Sequence, residues 1–330
     1  MRPVCDARLG GAPLSSTGGA APERRTVTIL HLSDTQFGAH HGFGADGAAD
    51  LDRAHASLAA RLLTDLALLR EDRGAAPDLI VASGDLAEWA RRQEFDQVHD
   101  FLAELAEGLG LTRQRVVIVP GNHDVNWKKC EAYFLNCQAD EIEPIPPCWP
   151  KWEPYFAMFS RFYADVPGIT FAPDEPWTLV EIPELKTVVA GLNSTLAESH
   201  RDEEHYGYCG ERQLLAFARR LSAYEQDGWL RIGAVHHNPV ISDEKDDAFL
   251  MDRLAFGEIL APRLQRLLPG HTHHSRMDSF GADGLPVLCA GSVGVPQVAR
   301  LRVGSRSYGH RPWVARRLCL LLIYGIGLAI

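Results

Sequence analysis

The chain has 330 residues, enough for one large α/β domain or two small ones, and its 46% hydrophobic content is ample for a packed core. A formal charge of -10 and a pI near 5.8 leave no basic stripe for an extended nucleic-acid surface, so such a partner would need a local patch. The seven cysteines are odd in number and contain no C-x-x-C pair, which reads as reduced thiols of a cytoplasmic protein.

Residues 1–25 are rich in Gly, Ala, Pro and Ser without an apolar centre and read as a disordered leader, with order beginning near Thr26. Residues 26–32 form a β-branched, apolar run. Residues 51–69 repeat apolar side chains at helical spacing, and residues 79–82 form a short buried strand, so the chain opens on a βαβ unit. A second helix from about 90 to 109 leads into a strand at 115–119, which Pro120-Gly121 stops. The stretch 126–168 breaks this alternation: aromatic side chains crowd it, and a proline-rich turn lies at 144–150. It is an insertion or cap whose rings either pack a satellite core or stack on a flat leaving group. Cys130, Cys137 and Cys148 lie within it, without the spacing of a zinc site. Strands at 187–192, 232–235 and 287–290, with helices near 211–224 and 251–264, resume the α/β pattern. Residues 301–330 are arginine-rich and then apolar. The apolar run 318–330 is shorter than the roughly 20 residues of a spanning helix, so a buried terminal strand or helix is expected rather than a membrane anchor.

Polar clusters stand where the strands end: Ser33-Asp34-Thr35-Gln36, Ser83-Gly84-Asp85, Gly121-Asn122-His123-Asp124, His236-His237-Asn238 and Gly270-His271-Thr272-His273-His274. Ligand sites of open α/β sheets gather at the carboxyl ends of strands. Alone, each cluster is a common turn or a polar surface feature. Together they supply the mixture of carboxylate, amide and imidazole that two divalent cations with one shared carboxylate require. The glycines before Asp85, Asn122 and His271 suggest sharp turns that bring the next side chain back over the strand end. Alternation along an extended segment points His237 away from its neighbour and toward a supporting role, which His274 shares. Asn193-Ser194 reads as a structural turn, and Asp78, Glu88 and the acids at 243–247 as solvated caps and loops.

The order D-x-Q, G-D, G-N-H-D, H-H and G-H-T-H resembles the calcineurin-like metallophosphoesterase superfamily over about residues 26–294. The resemblance implies a four-layer α-β-β-α sandwich with two mixed sheets, as a domain over 26–300. It implies two divalent metals, Mn, Fe or Zn with Mg as a further candidate. Asp34, Gln36, Asp85 and His273 would surround the first metal. Asn122, His236 and His271, sharing Asp85, would surround the second. It also implies a phosphoric ester hydrolase in which a bridging water becomes the hydroxide nucleophile, His123 contacts the phosphate and serves as general acid, and Asp124 holds the other ring nitrogen of His123. Small phosphodiesters or phosphomonoesters, cyclic nucleotides included, are the expected substrates; a nuclease and a non-catalytic binding scaffold are the alternatives. Gln36 stands where an imidazole is commoner. Either its amide oxygen ligates and shifts preference toward Mn²⁺ or Mg²⁺, or His40 or His41 reaches in from the loop.

Overall fold

The computed structural model describes residues 26–39, 51–74, 76–241, 249–292 and 322–327. The expectations for the leader 1–25, for His40 and His41, for the acids at 243–247 and for the arginines of 301–321 lie outside the described residues.

Among the described residues, ten strands form two mixed sheets. In the first, β1 (Thr26–Leu32), β2 (Leu79–Ser83) and β3 (Val116–Val119) run parallel, and β10 (Leu322–Gly327) pairs antiparallel with β1, giving the order β10-β1-β2-β3. The second contains β4 (Thr178–Ile182), β5 (Thr187–Gly191), β6 (Leu230–Val235), β7 (Arg266–Pro269), β8 (Arg276–Phe280) and β9 (Leu285–Cys289), in the order β4-β5-β6-β7-β9-β8. Its inner strands β5, β6, β7 and β9 are parallel, and β4 and β8 close the edges antiparallel.

Successive side chains of a strand point to opposite faces, and the core divides along that alternation. Val27 and Ile29 of β1, Leu79 and Val81 of β2, and Val117 and Val119 of β3 meet Val180, Ile182, Val189, Ile232 and Ala234 of the second sheet. The intervening residues, Leu30, Leu32, Ile80, Ala82, Val116 and Ile118, face helices α1 (Leu51–Arg73), α2 (Arg92–Gly108) and α4 (Glu153–Phe162). Beyond the second sheet, α5 (Glu211–Gln226) and α6 (Arg253–Ile259) pack Leu214, Phe217, Leu221 and Phe256 on Val188, Ala190 and Val287. This is the four-layer sandwich. Covering both faces explains why β1, β2 and β3 read as nearly continuous apolar runs. The helix expected over 251–264 is shorter: α6 stops at Ile259 and a 3₁₀ turn at Ala261–Arg263, with Pro262 inside it, follows. No helix among the described residues is long and apolar enough to cross a membrane.

The layer between the sheets also holds a polar pair. His31 of β1 is fully buried and its Nε2 meets Ser83 Oγ at 2.8 Å. Burial pushes its pKa from 6.5 down to about 3. The unfolded chain therefore takes up a proton near pH 6.5 that the folded chain refuses until about pH 3. The stability linked to His31 is fully present above the upper value and is lost on acidification through this window, at a slope approaching about 1.4 kcal/mol per pH unit. Asp124 and Glu198, whose buried carboxyls are pushed up to about 7 and about 8, act with the opposite sign over much of this window, so the His31 part is read by difference: on acidification the wild type should lose more stability than His31→Gln, by up to that slope.

The insertion is a packed part of the first half. It contains α3 (Trp127–Ala139), a 3₁₀ turn at Trp149–Trp152 and α4. Trp152, Tyr155, Met158, Phe159, Phe162 and Tyr163 belong to the core over the first sheet, so for these side chains the core-packing reading prevails over a cap. Tyr155 and Tyr163 donate their hydroxyls to the carbonyls of Ile118 and Val116 on the edge strand β3. Trp152 Nε1 donates to Thr195 Oγ1 at 2.9 Å. The buried Lys151 ammonium donates to the carbonyls of Thr195, Leu196 and Glu198 at 3.0, 2.9 and 2.6 Å. Lys151→Met would strand three carbonyls that the ammonium ties together, so we expect a loss of about 2–4 kcal/mol of stability in denaturant unfolding.

Candidate metal centre

The site forms where the strand-end loops of both sheets meet. The loops after β1 and β2 continue the parallel pairing past the strands: Asp34 N donates to Gly84 O at 3.0 Å, Gln36 N to Asp85 O at 2.9 Å and Phe37 N to Leu86 O at 2.8 Å. Within the second sheet Gly270 N donates to His236 O at 3.0 Å, and across the gap between the sheets His271 N donates to the Asp34 carboxylate at 3.2 Å.

Five of the seven expected metal ligands have left-handed backbone: Asp34, Gln36, Asp85, His271 and His273, with φ of 54°, 44°, 53°, 66° and 53°. Such conformations cost on the order of 1–3 kcal/mol each for non-glycine residues and persist only where surrounding bonds enforce them. The sharp turns expected at the preceding glycines are thus made in large part by the ligands themselves. Gly84 does have φ of 93°, but Gly121 is extended, with φ of -107° and ψ of -178°. Gly121 and Gly270 serve close approach: a Cβ at the first would collide with the Asp85 carboxylate, and at the second with Ser33 Oγ.

Four side-chain atoms converge. His236 Nε2 lies 3.0 Å from Asn122 Oδ1, 3.2 Å from Asp85 Oδ1 and 3.2 Å from His271 Nδ1. His236 Nδ1 is 2.9 Å from the Ser83 carbonyl, which can only accept, so Nδ1 carries a proton and Nε2 is the atom left to ligate. Asp85, His236 and His271 place their ligand atoms within 4.8 Å of one another, with both Asp85 and His236 buried. A carboxylate, an amide oxygen and two imidazole nitrogens directed at one volume are a donor set that fits a divalent cation. The second group is looser. Asp34 Oδ1 lies 3.1 Å from His273 Nε2, and the Gln36 amide forms no hydrogen bond among the described residues.

The electrostatics have the same origin. Burial would raise the Asp85 carboxyl, but the His236 charge and hydrogen bond, with lesser help from His123 and His271, hold it well below the usual carboxylate range. Burial would lower His236, and Asp85 instead lifts it to about 9. Asp34 is likewise held low against its burial, chiefly by His273, whose own pKa its bond to Asp34 raises.

His123 sits beside this group, its backbone N–H donating to Asp85 Oδ1 at 2.9 Å. Its ring Nδ1 is 2.8 Å from the backbone carbonyl of Glu88, and so it carries the proton there. Asp124, expected on that nitrogen, does not meet the ring. Its buried carboxylate accepts from the backbone N–H groups of Leu86, Ala87 and Gly121 instead, binding the loops after β2 and β3 together. Burial, and then the Asp85 charge, push Asp124 up to about 7.

The remaining polar residues fall behind the site. His237 is buried, its Nδ1 2.8 Å from Ser194 Oγ and its ring 4.9 Å from that of His271, so it supports His271 from the side. Asn193 Oδ1 accepts from Thr195 N and Oγ1, a local turn. His274 is exposed. Cys130, Cys137 and Cys148 are free, buried thiols outside the metal-holding group. Sequence reasoning missed the carbonyls of Ser83 and Glu88, which orient the two imidazoles; a backbone acceptor leaves no mark in residue identity. It also missed Trp89, which stands 48% exposed beside His123 and, being a large aromatic just past a strand-end cluster, was open to notice.

Among curated proteins nothing matches the chain. Solved structures similar to it include a dimetal phosphatase from Danio rerio, at 13% identity and TM-score 0.44, covering 81% of this chain and 87% of that one. A purple acid phosphatase from yellow lupin seeds has 12% identity and TM-score 0.47, covering 84% and 46%. GAP50, the anchor in the inner membrane complex of Plasmodium, has 12% identity and TM-score 0.44, covering 92% and 90%. The profile of the calcineurin-like phosphoesterases matches residues 27–275, a span that runs from β1 to the loop beyond His273. Since that match takes in every strand-end cluster from Asp34 onward, the chain belongs to the calcineurin-like phosphoesterase family, whose members are binuclear metal-dependent hydrolases of phosphoric esters.

Proposed function

We propose that Asp34, Gln36, Asp85 and His273 hold one divalent cation, that Asn122, His236 and His271 with the shared Asp85 hold the second, and that the enzyme cleaves small phosphodiesters or phosphomonoesters there. The convergence of Asp85, Asn122, His236 and His271 on one volume, with the His236 tautomer set by Ser83, carries this reading. When bound, two such cations supply charge stabilisation at the phosphoryl oxygens and an activated water. The chain's own residues do the rest. Glu88 O holds His123 by Nδ1, so Nε2 is the ring atom available to give a proton to the departing oxygen. Asp124 fixes the loops that position His123 and Asp85 and takes no part in the transfer.

A neutral amide oxygen at Gln36 is a harder donor than imidazole, which favours Mn²⁺ or Mg²⁺ at the first position over Zn²⁺. The free thiols Cys130, Cys137, Cys148, Cys209 and Cys289 suit a reducing compartment such as the cytoplasm. A panel of a cyclic nucleotide, a phosphomonoester and single-stranded DNA, assayed with Mn²⁺, tests the substrate class. Turnover of either small ester supports the proposal. Cleavage of the DNA alone would make the enzyme a nuclease, and no turnover of any would leave a binding scaffold.

A further inference from the structure

A cavity of about 400 Å³ opens beside His123, within the size range of small-molecule sites. Asn122 and His123 belong both to its wall and to the candidate metal centre; the rest of its wall includes Trp89, Arg91, Val125 and Trp127. The backbone beneath Trp89 and the ring of Trp127 are held in place before any ligand arrives. Glu94 Oε2 accepts from the backbone N–H groups of Trp89 and Arg91 at 2.9 and 3.0 Å. Asn126 caps α3 by accepting from Lys129 N and donates Nδ2 to Ala90 O at 3.0 Å, which ties the two walls together. The Trp127 ring is stacked on His205, centroids 4.2 Å apart and 14° from parallel. A ring fixed as Trp127 is binds a flat partner at little further entropic cost, and the exposed Trp89 indole stands on a backbone that is already anchored.

Charge contributes less at this mouth. Arg91 lies 3.9 Å from Glu94 and Lys128 2.8 Å from Glu131, and both cations are largely exposed, so each is compensated and screened. Recognition therefore rests on the ring faces. The position of His123 gives the cavity its direction: Nδ1 is engaged by Glu88 O, and the group protonated by the rest of the ring is the one that departs into the space His123 lines.

We infer that this cavity is the leaving-group subsite, and that Trp89 and Trp127 select phosphoesters whose leaving alcohol carries a flat aromatic ring, a nucleoside being the natural form. The inference rests on the phosphoesterase reading above, and its test separates the two. Adenosine 5′-monophosphate and ribose 5-phosphate release the same primary alkoxide and differ only in the base. The full chain loaded with Mn²⁺ should hydrolyse the first with a kcat/KM about tenfold or more above the second, as expected for one stacked base. That ratio should fall to within about twofold in Trp89→Ala and in Trp127→Leu, and Trp127→Phe should retain most of it.

Adenosine, which has no phosphate, gives a readout independent of chemistry: it should quench the tryptophan fluorescence of the metal-free protein, and weaken in binding by about tenfold in the same variants. Turnover of both esters at equal kcat/KM would overturn the subsite and leave the phosphoesterase intact. Adenosine binding that the variants lose, with no turnover of either monoester or of bis(p-nitrophenyl) phosphate, would support a base-binding site and remove the phosphoesterase reading. An adenosine affinity that the variants leave unchanged would overturn the subsite.

Discussion

Asp85→Asn is expected to lower kcat/KM by about 10³-fold or more, and to reduce the metal retained per chain after dialysis below the wild-type content. The size of the effect follows from position. Asp85 is fully buried at the end of β2, its Oδ1 lies 3.2 Å from His236 Nε2, and it is the carboxylate assigned to both cations. Exchanging carboxylate for amide removes the charge shared by the two dications and leaves Asp34, assigned to the first of them, as the one remaining carboxylate among the ligands; two-metal sites draw several kcal/mol of transition-state stabilisation from such an arrangement. The shape is nearly conserved, so unfolding measured alongside should show a folded variant. Elemental analysis of the dialysed protein and steady-state kinetics on one phosphoester check both halves. Wild-type metal content together with wild-type rate would remove Asp85 from the centre.

The second large effect is at His123. His123→Ala should reduce kcat for an alkyl phosphoester by about 10²–10⁴-fold, the range for a positioned general acid. It should reduce kcat far less for a p-nitrophenyl ester, whose leaving group departs without a proton. The structure motivates the contrast. The backbone N–H of His123 donates to Asp85, so the loop is anchored whatever the side chain, and the ring is aligned by one bond to Glu88 O. Metal content should stay at the wild-type level, which separates this variant from Asp85→Asn. An equal loss for both leaving groups would mean that His123 binds the phosphoryl group and does not protonate the leaving oxygen.

Much of this was legible in the chain itself, for reasons particular to certain residues. The runs at 26–32 and 79–82 read as strands because helices and a second sheet cover both faces of β1 and β2, which forces nearly every position to be apolar. The clusters after these strands stood out because Asp, Asn and His end otherwise apolar runs. Less visible were features written in the backbone. Nothing in the identity of Glu88 announces that its carbonyl orients His123, and Asp124 lies next to His123 in sequence while its carboxylate turns away to three backbone N–H groups. The left-handed conformations of Asp34, Gln36, Asp85, His271 and His273 belong to the same class, because tertiary hydrogen bonds impose them against local preference. The glycines illustrate a half-success: their importance was readable, but at Gly121 and Gly270 the reason is crowding by Asp85 and Ser33 rather than a turn. The aromatic insertion divides similarly, since side chains such as Tyr155 and Phe159 fill the core over the first sheet while Trp127 reaches the cavity by His123.

The central claim is a binuclear centre at the strand ends that hydrolyses phosphoesters. The most direct measurement is the titration of chelator-stripped protein with Mn²⁺, followed by turnover of bis(p-nitrophenyl) phosphate. Activity should be absent without metal, rise as the ion is added, and saturate at two equivalents per chain. Activity that persists in the stripped protein, or that saturates at one equivalent and is unaffected by Asp34→Ala, would contradict it.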